Sequence, residues 1–143
     1  MKTIKDTPGR EKNNPTHKVV FNQIENRIIE QDNDAVKYCQ KNYPETCDAF
    51  LNIVADQYVL FCKKQKNYGP GNISVGTNLT TKEDVKLSLT GLWFRINDKV
   101  QRLKQLIILG HNDEVGESEI DTFQDLSVYG IIAQIVSAKV WGK

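Results

Sequence analysis

Long apolar runs are missing from this sequence of 143 residues. Its apolar stretches are short, Leu106–Leu109 and Ile131–Ala133 among them, and fall well below the roughly 20 residues that span a bilayer. No membrane association is expected, and Met1–Asp6 has no apolar core of the signal-peptide kind. Charge of one sign is also missing. Nineteen Lys and Arg residues face 18 Asp and Glu, a net charge of +1, so direct nucleic-acid binding is not expected on electrostatic grounds. Histidine is nearly absent. With only His17 and His111, neither a histidine-rich zinc site nor a Ser-His-Asp triad can be built. The three cysteines, Cys39, Cys47 and Cys62, are odd in number and lack metal-knuckle spacing. That pattern points to a reduced, cytoplasmic setting.

What is present is enough apolar content for one domain of ordinary size, 39% of residues. Residues 1–16 are polar, with Pro8-Gly9 and Asn13-Asn14-Pro15, and are expected to form a flexible arm. Residues 17–143 are expected to form a single α-helical domain. Val20, Phe21, Ile24, Ile28 and Ile29 recur at helical spacing up to about Gln31. A short helical piece follows over Ala35–Gln40, and Tyr43-Pro44 is a boundary because the residue before proline avoids helical angles. Pro44-Glu45-Thr46 opens the next helix, whose predicted buried stripe is Phe50, Leu51, Val54, Tyr58, Leu60 and Phe61 and which ends at Lys63–Lys66. A loop over 67–79 leads to a Thr80-Thr81-Lys82-Glu83 capping box. Behind it Val85, Leu89, Leu92, Ile96, Val100, Leu103 and Ile107 form a near-heptad seam that Gly110 and Asn112 stop. The last helix is predicted over Glu117–Ala138 and is apolar nearly all round from Val128 onward. A helix greasy on every side must be buried on every side. The expected fold is therefore all-α, a bundle of about four main helices completed by dimerisation.

Three constellations could carry chemistry. Glu117, Asp121 and Asp125 recur every four residues, so on one helix they would cover about 80° of a face. Stacked carboxylates repel one another unless a cation sits among them, and a hard divalent ion takes one or two such ligands plus phosphate oxygens. The alternative is that the acids only favour the helix dipole. Arg95, Lys99 and Arg102 share a second helix face and could hold a phosphate, or could form salt bridges at the edge of the core, Asp98 being placed to pair with Arg102. The third is Lys66-Asn67-Tyr68-Gly69-Pro70-Gly71-Asn72, whose glycines admit a ligand close to the backbone, or which is simply a helix stop and turn.

In order along the chain, Lys66-x-Tyr68-Gly69-Pro70-Gly71-Asn72, Arg95-x-x-Asp98-Lys99-x-x-Arg102-Leu103 and Glu117-x-x-x-Asp121-Thr122-Phe123-x-Asp125-Leu126 with Tyr129-Gly130 resemble the nucleotide modification associated domain family (type 1). These are small α-helical proteins of bacteria and phages, and the resemblance covers residues 45–140. That family in turn resembles the all-α nucleoside triphosphate pyrophosphatases, the MazG and dimeric dUTPase group, which bind Mg²⁺ around a triphosphate with acids from two helices and form dimers or tetramers. The resemblance implies Glu117 and Asp121 as catalytic metal ligands with Asp125 in support. It implies Arg95, Lys99 and Arg102 facing phosphate or bracing the carboxylates, and Lys66, Tyr68 and Asn72 lining the nucleotide end. This chain departs from the pattern: its earlier helix offers only Glu45-x-x-Asp48 and Asp56, and its later acids are spaced by four, not three.

The expected function is Mg²⁺-dependent hydrolysis of a (deoxy)nucleoside triphosphate to monophosphate and pyrophosphate, in a homodimer or higher homo-oligomer. One alternative is a non-catalytic protein that binds or sequesters a nucleotide or cyclic nucleotide. Another is a structural dimer whose charged faces bridge subunits.

Overall fold

The computed structural model describes residues 15–31 and 33–143, and among them every regular element is helical. Residues 1–14 of the expected arm lie outside the described residues. The chain divides into two compact units, Met1–Cys62 and Lys63–Lys143.

The first unit holds α1 (Pro15–Gln31), α2 (Asp34–Asn42) and most of α3 (Pro44–Tyr68). Helix α1 begins at Pro15, which suits the first helical turn because its missing N–H has no partner to lose there. Asn33 caps α2 by accepting the Ala35 N–H at 3.0 Å, and α2 ends at Asn42, with Tyr43 as the non-helical residue before Pro44, as the sequence predicts. The stripe predicted for α3 is only partly covered. Leu51, Val54 and Phe61 are half-buried, whereas Phe50, Tyr58 and Leu60 are exposed. The buried positions are Ala55 and Gln57, a small residue and a polar one that a search for large apolar residues passes over.

The second unit contains the end of α3, then α4 (Gly71–Ser74), α5 (Lys82–Leu103) and α6 (Glu119–Ser137). Helix α4 falls inside the predicted loop. Its Ile73, together with Leu79 just beyond it, is buried. Leu79 adopts φ +56°, a left-handed angle that costs a non-glycine residue about 1–2 kcal/mol and that its burial offsets. The buried Ser88 hydroxyl of α5 donates to the Ile73 carbonyl at 2.7 Å, which satisfies a carbonyl that the short helix leaves without a partner.

Helix α5 starts one residue later than the predicted capping box. Thr81 is the N-cap and Asp84, not Glu83, closes the box, with Thr81 Oγ1 accepting from Asp84 N at 3.0 Å and Asp84 Oδ2 accepting from Thr81 N at 3.3 Å. Either acid can serve at that position, so the hydroxyl of the last Thr decides the register. Leu92 is the buried centre of the α5 seam, while Val100 and Ile107 at its far end are exposed. Ile107 lies in a π-helical turn over Lys104–Ile108, which widens the helix and shifts its faces out of the 3.6-residue phase. Gly110 then ends the element at φ +69°.

Helices α5 and α6 pack along one another. Between them and the adjoining segments lie the buried residues Leu92, Thr122, Ile132, Val136 and Trp141. Within this chain α6 is covered along Thr122, Ile132 and Val136, while its Ile120, Phe123 and Ile131 are exposed. Replacing Leu92 by Ala should cost about 2–5 kcal/mol, as for other buried leucines. The exposed Ile108→Ala should stay within about 0.5 kcal/mol. Urea unfolding of the two variants measures the contrast.

Candidate functional site

Lys99 and Arg102 stand three residues apart on α5 and so share a face. Opposite them is not a helical ladder of acids. Helix α6 begins at Glu119 with Ser118 as its N-cap, which places Glu117 on the approach to the helix. This corrects the predicted start at Glu117. Ser118 and Asp121 form a second capping box, in which Ser118 Oγ accepts from Asp121 N at 3.1 Å and Asp121 Oδ2 accepts from Ser118 N at 3.2 Å. A serine three residues before an acid was the signal for it in the sequence.

The two outer acids converge on one ammonium. Lys99 Nζ donates to Glu117 Oε1 and lies against Asp125 Oδ2, each at 2.9 Å. Arg102 Nη1 donates to the other Glu117 oxygen at 2.8 Å, and its Nη2 donates to Asp113 Oδ1 at 3.0 Å and also to the Glu117 carbonyl. Lys64, near the end of α3, donates to Asp125 Oδ1 at 3.3 Å. Three cations therefore meet three anions. The side chains of Arg102, Lys99 and Asp125 are 17, 21 and 22% exposed, so water screens the network only partly. Arg102 Nε is buried without a hydrogen-bond partner.

The network shifts the acid–base behaviour of its members. Lys99 is pushed up to about 12, first by its hydrogen bonds to Glu117 and Asp125, against the opposing effect of burial. For Asp125, burial alone would raise the carboxyl. The Lys99 hydrogen bond and the charges of Lys64 and Lys99 together outweigh it, and the carboxyl is held below its ordinary value.

Of the residues singled out from sequence, the structure brings Lys99, Arg102, Glu117 and Asp125 into one cluster and leaves Asp121 in the helix cap. Arg102 pairs with Glu117 and Asp113 instead of the anticipated Asp98. Arg95 points elsewhere, its Nη2 donating to the Asn72 carbonyl at 3.0 Å. Lys66, Tyr68 and Asn72 present exposed side chains around the Gly69–Gly71 turn. Lys64 and Asp113 escaped the sequence reading. Lys64 was one lysine in a cationic helix end, and Asp113 lies in a polar loop without periodicity, where it also accepts from the Val115 N–H at 3.3 Å.

Among the described residues no group of three or more His, Cys, Asp or Glu side chains is arranged to hold a metal ion. The chain matches no protein-family model, no curated protein and no solved structure.

Replacing Lys99 by Met should cost about 1–3 kcal/mol, because two part-buried carboxylates lose a charged partner. NMR titration of Asp125 should show its carboxyl rising. In the wild type, Asp125 stabilises the fold above the ordinary carboxylate value of about 3.9, an effect that fades as pH falls through its depressed folded value. Lys99 contributes fully below its ordinary value of 10.5, and that contribution is lost as pH rises through about 12. Urea midpoints measured against pH should therefore lose this pair's contribution at both extremes, and Lys99→Met should flatten both limbs.

Proposed function

We propose that this protein binds a (deoxy)nucleotide through its phosphates at Lys99 and Arg102 and acts, with Mg²⁺, as a pyrophosphohydrolase-like protein of the cytoplasm. One observation carries the reading: Glu117 and Asp125, the first on the approach to α6 and the second within it, each place an oxygen 2.9 Å from the same cation, Lys99 Nζ. Two carboxylates focused on one positive point suit a hard divalent ion, which takes one or two carboxylates and fills its remaining positions with water and phosphate oxygens. Glu117 and Asp125 would hold Mg²⁺, and when bound it would neutralise phosphate charge and lower the pKa of an attacking water.

The side chains of this chain do the rest. Phosphate oxygens exchange partners with the ion network, taking up Lys99, Arg102 and Lys64 as the carboxylates release them. The unused Arg102 Nε–H is a further donor to the incoming phosphate. Glu117, the most exposed of the acids paired with Lys99, is the group to accept a proton from water. Lys66, Tyr68 and Asn72 face the nucleoside. A second copy of the chain covers the exposed side of α6 around Ile131, which gives a homodimer.

A non-catalytic, sequestering form of the same site is the second reading. It is favoured by the engagement of the Asp121 carboxylate in the helix cap, which takes away one of the two principal acids expected of the site.

A thermal-shift panel of nucleotides with and without Mg²⁺ tests the site. Ligand at 100 times its Kd should add about 2.7 kcal/mol of stability, and the enzyme reading requires Mg²⁺-dependent pyrophosphate release. Glu117→Gln should lower that release by about 100-fold or more if this carboxylate is the base. Ligand recovered intact after denaturation selects the sequestering form, and no shift with any nucleotide removes both.

A further inference from the structure

After α6 the chain reverses. Lys139 takes a left-handed φ of +58°, and the Val140 N–H reaches back to the Ile135 carbonyl at 3.3 Å, the 6→1 hydrogen bond of a Schellman stop. The reversal delivers Trp141 to the Gly69–Asn72 turn. Its ring is buried, 6% exposed, and its indole N–H donates to the Pro70 carbonyl at 2.9 Å. Gly142 follows at φ +76°, and a Cβ there would lie 2.8 Å from Pro70 Cβ. Only glycine fits both the angle and the space. Lys139 Nζ adds a bond to the Thr80 carbonyl at 3.4 Å.

From the other side α5 holds the same turn, Arg95 through the Asn72 carbonyl and Ser88 through the Ile73 carbonyl. Carbonyls 70, 72 and 73 are thus each bound by a side chain from outside the turn, while the Tyr68 and Asn72 side chains stay exposed. A turn fixed through its backbone with its polar side chains facing outward is a preorganised platform, since its ordering cost is met on folding and not on binding.

We infer that Trp141 and Gly142 are positioning residues for the nucleoside end of the site. They hold the Gly69–Ile73 backbone so that Tyr68 and Asn72 grip the nucleoside, and they contribute nothing to phosphate binding. This rests on the nucleotide reading above.

The test is calorimetric titration of the full chain, with Mg²⁺, using the four deoxynucleoside triphosphates and inorganic triphosphate as probes. Trp141→Phe keeps an aromatic ring, though a smaller one, and removes the indole N–H donor, and Gly142→Ala pushes against Pro70. Each should weaken the best-bound deoxynucleotide about tenfold and change inorganic triphosphate less than about twofold, a selective loss that general destabilisation does not produce. Hydrogen exchange at Ile73 and Ser74 should accelerate in both variants while Leu92 stays protected. Arg95→Gln, which frees the same turn from its α5 side, replaces any variant in which Leu92 loses protection. Equal losses for the two kinds of probe, or no loss, overturn the inference alone. A wild-type chain that binds inorganic triphosphate but no nucleotide, or neither, overturns the nucleotide reading and the inference with it.

Discussion

One ammonium group organises the second unit. Lys99 Nζ joins a residue on the approach to α6 to a residue one and a half turns inside it, and Arg102 fastens the same approach segment through both a carboxylate and a backbone carbonyl. The long connection from the π-helical turn to α6 is almost wholly polar and exposed, and has little apolar surface to order it. Charge does that work instead, with Asp113 and Glu117 as the points at which the connection is tied to α5. Partial burial makes these pairs strong enough to matter, and partial exposure leaves them able to change partners. A fully buried network would be too costly to open, and a fully solvated one would order nothing.

The same balance is what supports a ligand-binding reading. Three positive and three negative groups neutralise one another, so the cluster carries no large field of its own. An entering polyanion with its metal ion would replace each internal pair by an external one, with no net charge left buried. Lys64, half exposed and 3.3 Å from Asp125, is the member best placed to respond first. The alternative, that the network only braces the connection, makes the same hydrogen bonds without requiring any of them to exchange, and response to Mg²⁺ and nucleotide separates the two.

The apolar surface is the other open feature. Several large side chains on α3, α5 and α6 remain exposed, Phe50, Trp93, Phe94 and Ile131 among them. Such residues singly need no explanation, but their number is consistent with the dimer proposed above. In the interior, small polar residues take places usually given to aliphatic ones. Ser88 and Thr122 are fully buried; Ser88 is there because its hydroxyl completes the hydrogen bonding of α4, while Thr122 donates back to the Ser118 carbonyl in the first turn of α6.

The chain's local chemistry was legible before folding. Helical spacing marked α1, α3, α5 and α6, Pro44 marked the break between α2 and α3, and Gly110 marked the end of the α5 run, because these depend on backbone angles and near-neighbour periodicity. The small errors were of the same local kind: two competing threonines moved one cap by a residue, and a serine cap moved the start of α6 past Glu117. What only the tertiary structure decided was which charges meet. Lys64, Lys99, Arg102, Asp113, Glu117 and Asp125 come from three helices and a connection, and Trp141 reaches Pro70 across 71 positions of sequence. Periodicity orders residues around one helix axis; it carries no information on the angle and offset at which a second axis packs. The partners of a charged side chain depend on that offset to within an ångström or two, so they exist only once the core has set it.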